Sequence, residues 1–168
     1  MKLFISFFIV VGLFVGCGYK PSSYYARDAI AGNVYVELVV DIDNSENSVY
    51  VKDAMNDLII NKFKASLTDD KSTADTVVTL SLSSVSHTAM STDDDGYAQS
   101  YRTTVSITVN YQKRDEEMKT IVVSNYYDYS VDSDSIITDQ KKKIAVSLAS
   151  TKALSDIFSK IAVNSMKE

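Results

Sequence analysis

The feature that most restricts this chain is a long alternation between Tyr97 and Tyr111. Tyr97, Tyr101, Val105, Ile107, Val109 and Tyr111 occupy odd positions, and Ser100, Arg102, Thr104, Ser106, Thr108 and Asn110 occupy even ones. A period of two over about 15 residues is a strand with one buried and one wet face. The run before it, from Thr76 to Met90, alternates similarly: Val78, Leu80 and Leu82 share one side, and Thr79, Ser81 and Ser83 the other. Asp93-Asp94-Asp95-Gly96 separates the two runs, and Asp-Gly between alternating segments signals a hairpin. Lys113-Arg114-Asp115-Glu116-Glu117 makes a second polar turn. Beyond it, Thr120 to Val131 forms a third strand, with Ile121, Val123, Tyr127, Tyr129 and Val131 on one face.

Two stretches carry a helical period instead. Val51, Met55, Leu58, Ile59 and Phe63 form an apolar stripe, which predicts a helix from about Val49 to Leu67 with Ser48 as its N-cap. Ile144, Leu148, Leu154, Phe158 and Ile161, with Ala145 and Ala149, predict a last helix that Asp139 opens as cap or first-turn acid. Val34 to Val40 is a nearly continuous apolar strand, which suggests burial on both faces or a central position. The order is β-α-β-β-β-α. Two single-striped helices must cover one face of the sheet. The expected fold is therefore α+β, a two-layer sandwich with a four-stranded, mostly antiparallel or mixed sheet and two helices on one face. The other sheet face, rich in Ser and Thr, is wet or meets a partner.

The start of the chain is of a different kind. Met1-Lys2 is followed by an apolar run from Leu3 to Val15, interrupted by Ser6 and Gly12, and then by Gly16-Cys17. A run of 13 residues is shorter than the roughly 20 that span a bilayer as a helix. A basic start, an apolar stretch and a small residue are the layout of a signal peptide. Cys17, the only cysteine of the chain, stands where bacterial lipoprotein processing attaches lipid, although Phe14 holds the place that processing favours as Leu. The expected division is a lipoprotein signal peptide over 1–16, a lipidated N-terminus and tether over 17–32, and one domain over 33–168. The tether, with Tyr19, Tyr24 and Tyr25, is expected to pack partly on that domain. With one cysteine there is no disulfide framework, and the core must hold the fold.

Several chemistries lack their residues. Losing Lys2 with the leader takes the formal net charge from −5 to −6, with no basic stripe for phosphates, so nucleic acid is not an expected partner. His87 is the only histidine, which leaves zinc hydrolysis without ligands and His87 with a structural reading. Asp93-Asp94-Asp95 lacks calcium-loop spacing and reads as a solvated hairpin tip. No cofactor, metal or catalytic residue is expected. A hydrolase would need a carboxylate pair such as Asp128 with Asp132, and Asp134 lies near them, but only sequence proximity marks these three. Tyrosine combines apolar area with a hydrogen-bonding end and suits interfaces. Tyr97, Tyr101, Tyr127 and Tyr129 are expected to point inward, and Tyr126 outward as a contact residue.

Cys17-Gly18-Tyr19 after the leader, Val34-Tyr35-Val36-Glu37 as first strand, Ala74-Asp75 opening the second and the strand from Tyr101 to Val109 resemble the LPS-assembly lipoprotein family (LptE, formerly rare lipoprotein B). The order of elements matches along nearly all of the mature chain. The resemblance implies an outer-membrane lipoprotein with an α/β sandwich, held as a plug inside a large β-barrel that inserts lipopolysaccharide in the outer leaflet. It also implies help in folding that barrel and makes lipopolysaccharide a candidate ligand. Gly18, not Asp, follows the cysteine, in keeping with outer-membrane sorting. The acidic tip departs from the family members studied for lipid binding, which offer basic side chains there. Carboxylates repel lipid A phosphates unless a divalent cation bridges them. Arg102 is the nearby cationic candidate, with Tyr126 and Tyr97 as candidate partner or ligand contacts. The competing reading is a stand-alone, periplasm-facing lipoprotein that binds a lipid or glycan.

Overall fold

A computed structural model describes residues 20–40, 45–131 and 138–166, with the side chains of residues 45–47 left undescribed. The expected signal peptide, Cys17 and the carboxylates Asp132 and Asp134 lie outside the described residues. Among those described, the chain runs α1 (Ser22–Ala29), β1 (Asn33–Val39), α2 (Ser45–Leu58, continued by a π-helical turn Ile59–Phe63), β2 (Ser66–Leu67), β3 (Thr76–Thr92), β4 (Ala98–Lys113), β5 (Lys119–Ser130) and α3 (Asp139–Ser165). The α+β class holds, with five strands and three α-helices in place of four and two.

The sheet order is β2-β1-β3-β4-β5. β1 is parallel to both β2 and β3, with Val34 opposite Leu67 and Thr76. Parallel neighbours need a crossover, and α2 supplies it. β3, β4 and β5 form the expected antiparallel meander. One face of the sheet and all three helices share a single core, in which Val34, Val36, Val78, Leu80, Leu82, Val105, Ile107, Val109, Ile121 and Val123 are buried. β1 is thus buried on one face, not both: Tyr35 and Glu37 are half-exposed, and Val39 and Val40 are exposed at its end.

The stripe predicted for α2 is intact, since Val51, Met55, Leu58, Ile59 and Phe63 are all buried. Its limits differ. The helix starts at Ser45, so Ser48 is a buried residue within it and not its cap. It stops where Lys64 takes a left-handed φ of 60°, and Ser66–Leu67 then pairs with β1 as β2. The backbone bonds Ser66 N to Gly32 O (3.1 Å) and Thr68 N to Val34 O (3.0 Å) tie β2 in place.

In α3, Ala145, Ala149, Leu154 and Ile161 are buried as expected, but Ile144 and Leu148 are 49% and 39% exposed. Each stands two residues from the fully buried Val146, which at 3.6 residues per turn is nearly the opposite side of the helix. The buried side of the helix instead includes Val146, Ala153 and Ile157 beside Ala149. Thr138 is the N-cap, its hydroxyl accepting from Lys141 N, which leaves Asp139 as the first-turn acid. The tether contains α1, which packs against α3, and Ala26 and Ile30 join the core with no exposed surface.

Gly32 joins α1 to β1 at a φ of +73°. A Cβ there would sit 2.8 Å from Asp75 Cβ, so glycine meets both a backbone and a packing need. The close approach lets the Asp75 carboxylate accept from Asn33 N at 2.9 Å, while Asp75 N donates to Asn33 O at 2.8 Å.

Candidate functional site

Among the described residues, no element covers the sheet face turned away from the helices. Thr79, Ser81, Ser84 and Ser86 of β3, Arg102, Thr104, Ser106 and Thr108 of β4, and Thr120, Ser124, Tyr126 and Asp128 of β5 share it by register and alternation. Cross-strand hydrogen bonds link its side chains: Ser83 Oγ to Thr108 Oγ1 at 2.8 Å and Thr120 Oγ1 donating to Asn110 Oδ1 at 2.7 Å. The face is mostly polar and partly cross-bonded, with Val122 exposed among its hydroxyls. That arrangement suits a hydrogen-bonding partner laid against it more than a small ligand held in a cleft.

Two of the three proposed contact residues meet on this face. Arg102 lies opposite Asp128, and Thr104 opposite Tyr126. The Arg102 guanidinium donates from Nε to Asp128 Oδ1 and from Nη2 to Oδ2, each at 2.7 Å, and its Cζ sits 3.7 Å from the centre of the Tyr126 ring. The paired hydrogen bonds from Arg102 hold the Asp128 carboxyl below its ordinary range, and the same bonds raise Arg102. Fork-to-fork pairing fixes both side chains in a plane. Arg102 is therefore charge-paired with its neighbour and not an isolated cation. Asp128 is engaged in the same way, and its proposed partner Asp132 lies outside the described residues.

Tyr97 is placed elsewhere. It stands at the hairpin tip, five residues beyond Arg102 along β4 or about 17 Å, and is 70% exposed. Alternation predicted an inward Tyr97, but among the described residues no helix covers it at the hairpin tip. Tyr101, Tyr127 and Tyr129 do take the helix side and are half-buried. Tyr101 and Tyr129 stack with ring centres 6.0 Å apart, and Lys152 Nζ lies 5.1 Å from the Tyr127 ring centre.

The acidic tip has a structural explanation. Asp93 Oδ1 accepts from Asp95 N (3.1 Å) and Tyr97 N (2.7 Å), and Oδ2 accepts from Gln99 Nε2 (2.8 Å). Asp93 thus caps its own turn, and Gly96 completes it at a φ of +85°. No group of three metal-ligating side chains occurs among the described residues. His87 sits within β3, not at its end, with Nδ1 2.7 Å from Thr103 Oγ1. Partial burial, and then the nearby Lys142 charge, push its pKa down.

Sequence reasoning missed α1, β2 and the Arg102–Asp128 pair. A signal for the last was present. The expected turn from Lys113 to Glu117 is centred on Asp115, and a hairpin folded there sets residue 102 against residue 128.

Comparison with known proteins agrees with this geometry. The sequence matches the model of the lipopolysaccharide-assembly family LptE over residues 34–161, from β1 nearly to the end of α3. No curated protein matches the sequence. The fold is similar to a crystal structure of rare lipoprotein B from Shewanella oneidensis, with a TM-score of 0.55 at 14% identity over 80% of this chain and 97% of that one. It is also similar to a putative lipoprotein from Caulobacter crescentus, with a TM-score of 0.53 at 9% identity over 88% of this chain and 97% of that one. A third likeness is to an uncharacterized lipoprotein B from Nitrosomonas europaea, with a TM-score of 0.53 at 8% identity over 89% and 93% of the two chains. At these identities the likenesses establish the fold, and it is the family match across more than half of the sequence that establishes kinship. The chain belongs to the LptE lipopolysaccharide-assembly family.

Proposed function

We propose that this protein is a non-enzymatic lipoprotein of the outer membrane, anchored through lipid on Cys17, that seats inside a β-barrel of the lipopolysaccharide-transport machinery and assists its assembly. Family membership supports the role in lipopolysaccharide assembly. The observation that carries the plug reading is the mostly polar, partly cross-bonded face of β3, β4 and β5, a preformed surface for the wet inner wall of a barrel. Barrel interiors are lined by polar residues, and a mostly polar sheet face can exchange hydrogen bonds with such a wall. A stand-alone lipid- or glycan-binding role is less well supported, because Arg102 is already charge-paired with Asp128.

Extraction of the lipidated protein from outer membranes in mild detergent is the test. It should bring down a large β-barrel in near-equal amount, and a lipoprotein recovered alone would overturn the plug reading. Mass spectrometry of the mature N-terminus should show acyl chains on Cys17.

A further inference from the structure

β1 pairs with β3 only from Thr76 to Ser81, opposite Val34 to Val39. β3 continues to Thr92, held on its other side by β4. Its outer edge beyond Ser81 therefore has no strand partner among the described residues. From Ser83 to Thr92 every residue is exposed except the half-buried Val85. Such an edge presents a row of backbone donors and acceptors, and proteins usually blunt one with charge, proline or bulges. Here the stretch from Val77 to Thr92 contains no Asp, Glu, Lys, Arg or Pro. The opposite edge of the sheet is treated differently: on β5, Lys160 from α3 reaches the Val122 carbonyl at 2.9 Å. Irregularities between Leu82 and Ser84 and between Ala89 and Ser91 interrupt β3, leaving Ser84 to Ala89 as a regular segment of about 20 Å.

We propose that the free edge of β3 from Ser84 to Ala89 docks an extended, weakly charged strand of a partner polypeptide by β-augmentation. The occupant follows from the chemistry. Only another extended backbone can match a row of strand donors and acceptors at their spacing, and main-chain bonds supply affinity in this mode. The lack of charge on β3 sets the occupant's composition, since a highly charged strand would meet no counter-charge there. A second copy of this chain is the weaker occupant. Six residues meeting their own Ser- and Thr-rich equivalents bury far less than the roughly 1,200 Å² of a stable interface. A partner already wrapped around the domain brings its strand at high local concentration, so a short edge suffices. The proposal rests on the reading above in needing a protein partner.

Amide hydrogen exchange across Leu82 to Thr92 is the test. It would be measured on the full-length lipidated protein as extracted with its partners, and on the same protein separated from them. The expected result is exchange at least tenfold slower at alternate amides between Ser84 and Ala89 in the assembled form. Unchanged exchange with the barrel present overturns this inference and leaves the plug reading standing. A chain that extracts alone with unchanged exchange defeats both. Protection by a non-barrel partner supports the docked strand and defeats the plug. Protection accompanied only by a dimer of this chain overturns the partner strand. Ser86→Pro and His87→Pro provide a second arm, because adjacent amides of a strand point to opposite edges. The variant that keeps the parent's melting temperature carries proline on the outer edge, and it should lose the protection. Protection that survives in it overturns the proposal.

Discussion

Arg102 and Asp128 face each other across β4 and β5, joined by two hydrogen bonds of 2.7 Å, with the guanidinium laid over the Tyr126 ring. Three polar side chains on the sheet face turned away from the helices are thereby locked into one arrangement. The Asp128 carboxyl sits below its ordinary value of 3.8, chiefly because Arg102 donates to its charged form. A depressed carboxyl stabilises the fold above its unfolded value, and that contribution fades as pH falls through the folded one. Arg102→Ala should move the Asp128 carboxyl titration upward toward the ordinary range, as followed by carbon-detected NMR. An unmoved titration would show that the pair does not exist in solution.

Gly32 and Gly96 both have positive φ but differ in what surrounds them. Gly32→Ala should lose about 2–4 kcal/mol, from backbone strain together with the clash against Asp75. Gly96→Ala, with nothing within 4 Å of its Cβ, should lose only the backbone part, about 1 kcal/mol. Urea unfolding of the two variants measures the difference, and equal losses would contradict the Gly32–Asp75 contact.

α3 offers a similar contrast. Ile157 has no exposed surface and Ile144 is 49% exposed. Ile157→Ala should cost about 2–5 kcal/mol and Ile144→Ala less than about 0.5 kcal/mol by denaturant titration. The reverse ranking would mean that α3 is rotated on the sheet.

Cys17→Ser, in a chain whose leader over 1–16 is replaced by a general secretion signal, should abolish acylation and release the protein from the membrane fraction; no helix among the described residues is long and apolar enough to cross a membrane. Fractionation followed by immunoblotting reads the result, and an unchanged membrane pool would remove Cys17 as the anchor.

Elements whose side chains repeat with one period over many residues were legible. The meander of β3, β4 and β5 and the buried stripe of α2 follow from spacing alone, because a period of two or of 3.6 leaves one face apolar whatever packs on it. Short elements were not. β2 is two residues long and exists only because Gly32 and Val34 offer carbonyls to Ser66 and Thr68. α1 follows Pro21 and reads as a turn until Ala26 and Ile30 find the core. Ile144 and Leu148 misled for a related reason. α3 has apolar residues around much of its circumference, and contact with β4, β5 and the other helices selects which of them are buried.

By itself the sequence determined the long strands and the two long helices, where the hairpin turns fall, and which side of each meander strand is apolar. Local spacing sets those properties, so they need no knowledge of neighbours. The tertiary structure alone decided that β1 and β3 run parallel, and that β3 outruns β1, so its outer edge has no strand partner there among the described residues. It also decided that Tyr97, on the apolar side by alternation, is left exposed at the hairpin tip. These depend on strand order and on the lengths of elements distant in the chain, which no local period encodes.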